Sequence, residues 1–308
     1  MTSITTIIEN PQSSGIGSGS LTFEERSLGT YERAVLSTIP NGFGDGEFTL
    51  ELFFKCFSDA TYTLGTISGN GGSSIPVERQ LWASNNPSKY ATFDWWYHGN
   101  FLLDGHNNTA GRLDEGTFSL QIASGRPRWT FSDGSADVDS LNGDMYAVQS
   151  TTTNTVLDNA WHHVHLVRRW SGASDADLEL WLDGTLQDSV TIPNRVNMAT
   201  NFWDSWTNYP TNEQNWMFGT EKQAALGVLT QWEDFKGQLG QIRFWSRALS
   251  TGECGNAFNT IVGNESGLVE YYDFDEQSGS TLGGALGAGA YDMTLVNSPA
   301  WSTDRPTT

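Results

Sequence analysis

The chain has 308 residues, long enough to bury a substantial core without disulfides or metals, and carries 16 Lys+Arg against 36 Asp+Glu, a formal net charge of -20. A surface this acidic lacks the basic footprint that phosphate contacts need, which argues against nucleic acid and against anionic membranes as partners. No apolar run approaches a membrane span, and "MTSITTIIENPQSSGIGSGS" shows neither the basic start nor the continuous apolar core of a secretory signal.

Residues 12–20 (QSSGIGSGS) are Gly/Ser-rich, so 1–20 reads as a flexible arm or linker ahead of one domain over 21–308. After it the dominant period is two. "EFTLELFFKCF" sets Phe48, Leu50, Leu52, Phe54 and Cys56 on one face and Thr49, Glu51 and Lys55 on the other, a half-buried strand. The stretch Ser88 to Gly116 reads as a long loop rich in aromatics, Asn and Asp. "GTFSLQIASGRPRWTFSDG" reads as two strands around a Gly-Arg-Pro turn. "NAWHHVHLVRRW" is a strand by its β-branched and aromatic content. "DLELWLDGTLQDSV" points Leu178, Leu180 and Leu182 inward and turns at Asp183-Gly184, a strong hairpin signal. Asn197 to Trp216 is a second long aromatic loop. "GQLGQIRFWSRALS", "SGLVEYYDFDE" and "AYDMTLVNSPAW" supply further strands, with one short helical turn capped by Ser250. Many short strands, frequent glycines and almost no helix predict an all-β fold: two antiparallel sheets packed as a β-sandwich. Cys56 and Cys254 are either two buried thiols or one long-range bridge.

Five segments in order carry a resemblance: "GEFTLELFFK", "NAWHHVHLVRR", "LELWLDGTLQDS", "EDFKGQLGQIRFWSRALSTGE" and "GLVEYYDFDEQSGSTL". Between Gly46 and Trp301 the set resembles the laminin-G-like jelly roll of the concanavalin A-like lectin/glucanase superfamily. The resemblance implies two antiparallel sheets and a protein that recognises glycans or surfaces. In that pattern the Trp-His-His-Val strand is architectural. Many relatives hold calcium through an Asp in "Phe-x-Gly-x-x-Asp"; here that position is Gly240, so the usual site is not evident and no cofactor is expected. Loop acids Asp94, Asp104, Asp204 and Asp234 leave another calcium site open.

The histidines themselves pose a sharper question. His163 and His165 share a strand face, a spacing that can offer two imidazoles to a metal, and His98 and His106 are the histidines left to complete a site. The glucanase branch uses alternating acids on one strand; Glu179/Asp183 and Asp273/Asp275/Glu276 come nearest and neither has the spacing. Carbohydrate sites pair aromatic faces with a few polar groups. The two long loops supply that mix: Trp95, Trp96, Tyr97, Trp203, Trp206 and Tyr209 as stacking surfaces, Asp94, His98 and Asp204 as polar contacts. Packing onto the sandwich and subunit contacts in a homo-oligomer are the competing uses. The reading is a non-catalytic carbohydrate-binding or adhesion module at a virion or cell surface, not an enzyme. The alternatives are a structural virion protein that contacts other virion proteins (a phage capsid decoration or tail component) and a polysaccharide hydrolase or lyase.

Overall fold

The computed structural model describes residues 16–24, 31–36, 38–44, 46–58, 67–68, 74–75, 100–105, 118–123, 125–132, 145–150, 155–192, 216–220 and 234–307. In chain order the strands are β1 (Ser20–Phe23), β2 (Arg33–Leu36), β3 (Phe48–Cys56), β4 (Ile67–Ser68), β5 (Ser74–Ile75), β6 (Asn100–Asp104), β7 (Phe118–Ala123), β8 (Arg126–Ser132) and β9 (Met145–Gln149). They continue with β10 (Trp161–Trp170), β11 (Ala176–Leu182), β12 (Thr185–Ile192), β13 (Trp216–Phe218), β14 (Gly237–Trp245), β15 (Leu268–Tyr272), β16 (Thr281–Leu282), β17 (Met293–Val296) and β18 (Ala300–Ser302). One four-residue helix, α1 (Thr251–Cys254), lies between β14 and β15.

Two antiparallel sheets face each other. The first runs β12-β11-β10-β3-β14-β1-β18, with β15 also on β14; the second runs β16-β17-β2-β13-β6-β7-β8-β9. β14 pairs with β3 along one side, while its other side takes β1 at Gly237–Leu239 and β15 at Ile242–Trp245. The alternation expected of β3 holds: Phe48, Leu50, Leu52, Phe54 and Cys56 enter the core between the sheets, with Leu21, Val164, Leu166, Leu178, Ile242 and Phe244. Each such side chain taken fully from water contributes about 1.5–3 kcal/mol. From the second sheet, Phe118 stacks on Trp216 at 4.6 Å between centroids, and Trp129 and Phe131 complete the aromatic centre.

The Asp183-Gly184 turn forms as expected, with φ of 49° and 78°, the left-handed pair that suits a tight hairpin. Ser250 caps α1 in a capping box with Glu253. Cys56 and Cys254 are both buried thiols and do not bridge; burial pushes the Cys254 thiol up to about 12.

Three expectations change. Gly125, with φ of 73°, lies in the turn just before β8, and Arg126 and Pro127 belong to β8, where Pro127 pairs with Ile122. The stretch 88–116 is not all loop, because it contains β6; likewise Trp216 opens β13. Within the stretch read as an arm, Ile16 is buried, Ser18 N–H donates to Asp273 O at 2.7 Å, and Ser20 opens β1, so its last residues pack with the domain.

Candidate functional site

The outer face of the first sheet is not solvated. β3 points Thr49, Glu51 and Phe53 outward, β10 points His163, His165 and Val167, and β14 points Arg243 and Trp245; all are buried. The chain from 246 to 265, including α1, covers them. Val167, Trp181, Trp245, Leu249, Cys254, Ile261 and Tyr271 form a second, smaller core under this cap.

Polar groups fasten the cap at four points. Thr49 Oγ1 donates to Arg247 O at 3.1 Å and accepts Leu249 N–H at 2.9 Å. Arg169 Nη2 donates to Leu249 O at 2.7 Å. Arg243 donates to Asn259 Oδ1 and Asn259 O, both at 2.6 Å. His163 Nδ1 accepts Phe258 N–H at 3.1 Å. The motif "RFWSRALS" therefore reads as sheet, then cap.

Glu51 is the hub. The β3–β10 register sets Glu51 opposite His165 and Phe53 opposite His163. Glu51 Oε1 lies 2.9 Å from His165 Nε2 and 3.5 Å from His163 Nε2, though neither N–H is aimed squarely at it. Glu51 Oε2 accepts from Arg243 Nη1 at 3.2 Å and Trp245 Nε1 at 2.9 Å. Burial alone raises a carboxyl pKa; here the Arg243 charge, then the two histidines, hold Glu51 well below the usual carboxylate range. Burial pushes His163 down to about 3, helped by the neighbouring His165, so its ring is neutral.

The same-face histidines thus do meet a third metal-ligating group, and it is Glu51 rather than His98 or His106, which lie outside the described residues. Among the described residues this is the one group of three such side chains whose ligand atoms all lie close enough to share an ion. Its surroundings do not suit a cation. A histidine bound to metal through Nε2 normally donates a proton from Nδ1. His163 Nδ1 instead accepts Phe258 N–H, so the proton of the neutral ring sits on Nε2, and coordination there would require an imidazolate. The Arg243 guanidinium already neutralises Glu51, and Oε2 is occupied by the Arg243 and Trp245 donors. The assembly is a fastening between sheet and cap. Purified protein is expected to carry no stoichiometric transition metal by elemental analysis, and EDTA to leave its melting temperature unchanged. One metal per chain, lost in both His163→Ala and His165→Ala, would overturn this.

Of the acids nearest to a glucanase pattern, Glu179 accepts from Arg169 and Trp181, Asp183 Oδ1 accepts His163 N–H, and Glu276 accepts from a turn. Burial, reinforced by Asp275 and Glu276, raises Asp273 to about 6. Glu276 Oε1 accepts Gly283 N–H at 2.5 Å, Asp292 Oδ1 accepts Gly284 N–H at 3.0 Å, and Glu270 accepts from Leu286 and Gly287 N–H at 2.8 and 2.7 Å. Glu270, Glu276 and Asp292 hold the glycine-rich turn 283–289.

Asp94, Trp95, Trp96, Tyr97, His98, Trp203, Asp204, Trp206 and Tyr209 lie outside the described residues. Their nearest described anchors are informative. Residue 99 leads into β6 at Asn100, and residue 215 leads into β13 at Trp216; β6 and β13 are hydrogen-bonded neighbours, Met217 opposite Asp104 and Phe218 opposite Leu103. Asn100 is itself tied down, its Nδ2 donating to Asp234 O at 2.7 Å. Gly105 follows β6 under the Trp216 indole, where a Cβ would come within 2.5 Å of Nε1. Of the loop acids offered for calcium, Asp104 and Asp234 are buried at this join and belong to no cluster of metal ligands among the described residues. Outward from β7, β8 and β9 the same sheet carries Ser119, Gln121, Arg128, Thr130 and Gln149, a continuous buried polar row linked by Gln121 to Ser119 (2.9 Å) and Arg128 to Gln149 (3.2 Å).

No family model matches the chain, and no curated protein matches it. Among solved structures, the chain is similar to a candidate carbohydrate-binding protein of Bacteroides ovatus, with 14% identity and a TM-score of 0.50, over 91% of this chain and 58% of that one. The chain thus spans less than two thirds of that protein's structure. A heptameric SAP-like pentraxin of Limulus polyphemus matches at 11% identity and TM-score 0.43, over 91% of this chain and 95% of that one. Domains LG4-5 of the mouse laminin alpha1 chain match at 10% identity and TM-score 0.37, over 82% and 46%. At these identities the likeness concerns the fold, which is the concanavalin A-like jelly roll.

Proposed function

We propose that the protein is a non-catalytic carbohydrate-recognition module working at a virion or cell surface. Its glycan contacts are Trp95, Trp96, Tyr97, Trp203, Trp206 and Tyr209, with Asp94, His98 and Asp204 as polar partners. The observation that carries this is topological: both aromatic stretches lead into adjacent antiparallel strands of one sheet, 95–98 at the Asn100 end of β6 and 203–209 at the other end, where Trp216 opens β13 beside Asp104. A rigid sheet supporting aromatic segments is how folds of this kind present binding groups. The jelly-roll fold, seen also in the Bacteroides ovatus protein, accords with it. With a formal charge of -20, the chain favours neutral glycans over uronic or sulfated ones, which it would repel.

A glycan array comparing neutral with acidic polysaccharides tests the class. On the best ligand, Trp95→Ala and Trp206→Ala are each expected to weaken binding by about tenfold, on the order of 1.4 kcal/mol. Unchanged binding in both removes the proposed site.

A further inference from the structure

His162 is the histidine of "WHHVH" that the hub does not use. It faces the core side of β10 at the strand's start, 5.7 Å from the Phe54 ring, with its side chain 12% exposed. Its Nδ1 lies 2.8 Å from Asp183 Oδ2 and its Nε2 lies 3.2 Å from Asp158 Oδ1. A neutral imidazole has one N–H and one lone pair, so it can satisfy only one of two carboxylates. Both contacts are favourable together only when both nitrogens carry protons.

The two carboxylates belong to different parts of the fold. Asp158 sits in the turn before β10, where Oδ1 also accepts Ala160 N–H at 2.9 Å. Asp183 opens the β11–β12 turn, and its Oδ1 accepts His163 N–H at 2.8 Å. The hairpin it begins touches two further places. Gly184 lies so close to the end of the cap that a Cβ would come 2.7 Å from Gly255 O. β12 reaches across to the second sheet, where Asp188 Oδ2 accepts Gln149 N–H at 3.1 Å and Ser150 Oγ donates to Gln187 Oε1 at 3.0 Å.

We propose that His162 is a proton-operated latch on this hairpin: doubly protonated it bridges Asp158 to Asp183, and loss of one proton turns a lone pair toward a carboxylate and weakens the hold of the hairpin tip on the start of β10. The charged groups around it are few. The turn contributes Asp158 and the hairpin Asp183. From β3 it meets Phe54, while Lys55 points to the opposite face and bonds Asp304. The cap end, Gly255-Asn256-Ala257, brings no charge. Burial alone lowers an imidazole pKa, but hydrogen bonds and charge from Asp183, then Asp158, outweigh it and raise His162 above the ordinary histidine value. A raised folded-state pKa stabilises fully below the unfolded value of about 6.5 and ceases to do so as pH rises through the folded value. The latch therefore loosens on the alkaline side of neutrality.

The test uses the full chain and amide hydrogen exchange at pH 6 and pH 9, corrected for intrinsic rates. The comparison is Asp158→Asn/Asp183→Asn, which keeps one acceptor oxygen at each position for the Ala160 and His163 N–H groups and suits Asp183's left-handed φ of 49°. In the parent, protection of the hairpin amides is expected to fall by about tenfold for each pKa unit by which His162 is raised; in the double variant it stays flat. Equal pH dependence in both overturns the latch. Should the variant not fold, the imidazole ¹⁵N shifts of His162 in the parent decide. A doubly protonated ring persisting above the ordinary histidine midpoint supports the proposal, and a ring neutral at pH 6 overturns it.

Discussion

Glu51→Gln is expected to lower the unfolding free energy by about 3–5 kcal/mol, the usual cost of removing one partner of a buried ion pair. The substitution keeps the shape and removes the charge, so Arg243, fully buried, loses the carboxylate it is ion-paired with. Gln also offers one oxygen where the carboxylate offers two, and the Oε2 position accepts from both Arg243 and Trp245 while both histidine rings lie against Oε1. Urea denaturation measures the loss as a shift in midpoint at unchanged slope. A second variant, Glu51→Leu/Arg243→Met, separates charge from packing: replacing both ions by apolar groups of similar volume should recover much of the loss. A Glu51→Gln protein as stable as its parent would mean that the hub is not what holds the cap.

Trp216→Ala is expected to cost about 3–5 kcal/mol, the range for removing a large buried aromatic side chain. Trp216 is 1% exposed, stacks on Phe118, meets Phe43 edge-on at 5.8 Å and Phe244 at 6.1 Å, and roofs Gly105. The residue also has a second role that the core does not require of it. It is where the segment 197–215 enters the sheet, beside the exit of β6. Trp216→Ala should therefore weaken glycan binding at temperatures where the protein is still folded, measured by titration calorimetry well below its melting point. Loss of stability with unchanged affinity would detach the aromatic segments from this anchor.

β7, β8, β14, β15 and β17 form where the sequence places strands, and the most legible are those with a clean period of two and a turn that names itself: β3, β10, β11 and the Asp183-Gly184 hairpin. β6 escaped because its pattern is broken. A register shift between Phe101 and Leu103 puts three consecutive apolar residues into buried positions, and alternation disappears. β13 escaped because three residues carry no period. The hub was half legible. The i, i+2 spacing of His163 and His165 predicts a shared face, and Glu51 was visible as an outward residue of its own strand. What joined them is the register between β3 and β10, which no local pattern encodes. His162 was harder still, since its two carboxylates come from a preceding turn and from a hairpin tip.

β1 and β18 are hydrogen-bonded to each other, Ser20 opposite Ser302 and Thr22 opposite Ala300. The first and last strands are thus neighbours at one margin of one sheet. During synthesis β1 must wait for β14 and β18, so the first sheet stays unfinished until nearly the whole domain has emerged, a slow order of assembly for long-range pairing. The start of β1 and the end of β18 therefore lie at one place on the sheet margin, the arrangement that lets a domain be inserted into a surface loop of another protein.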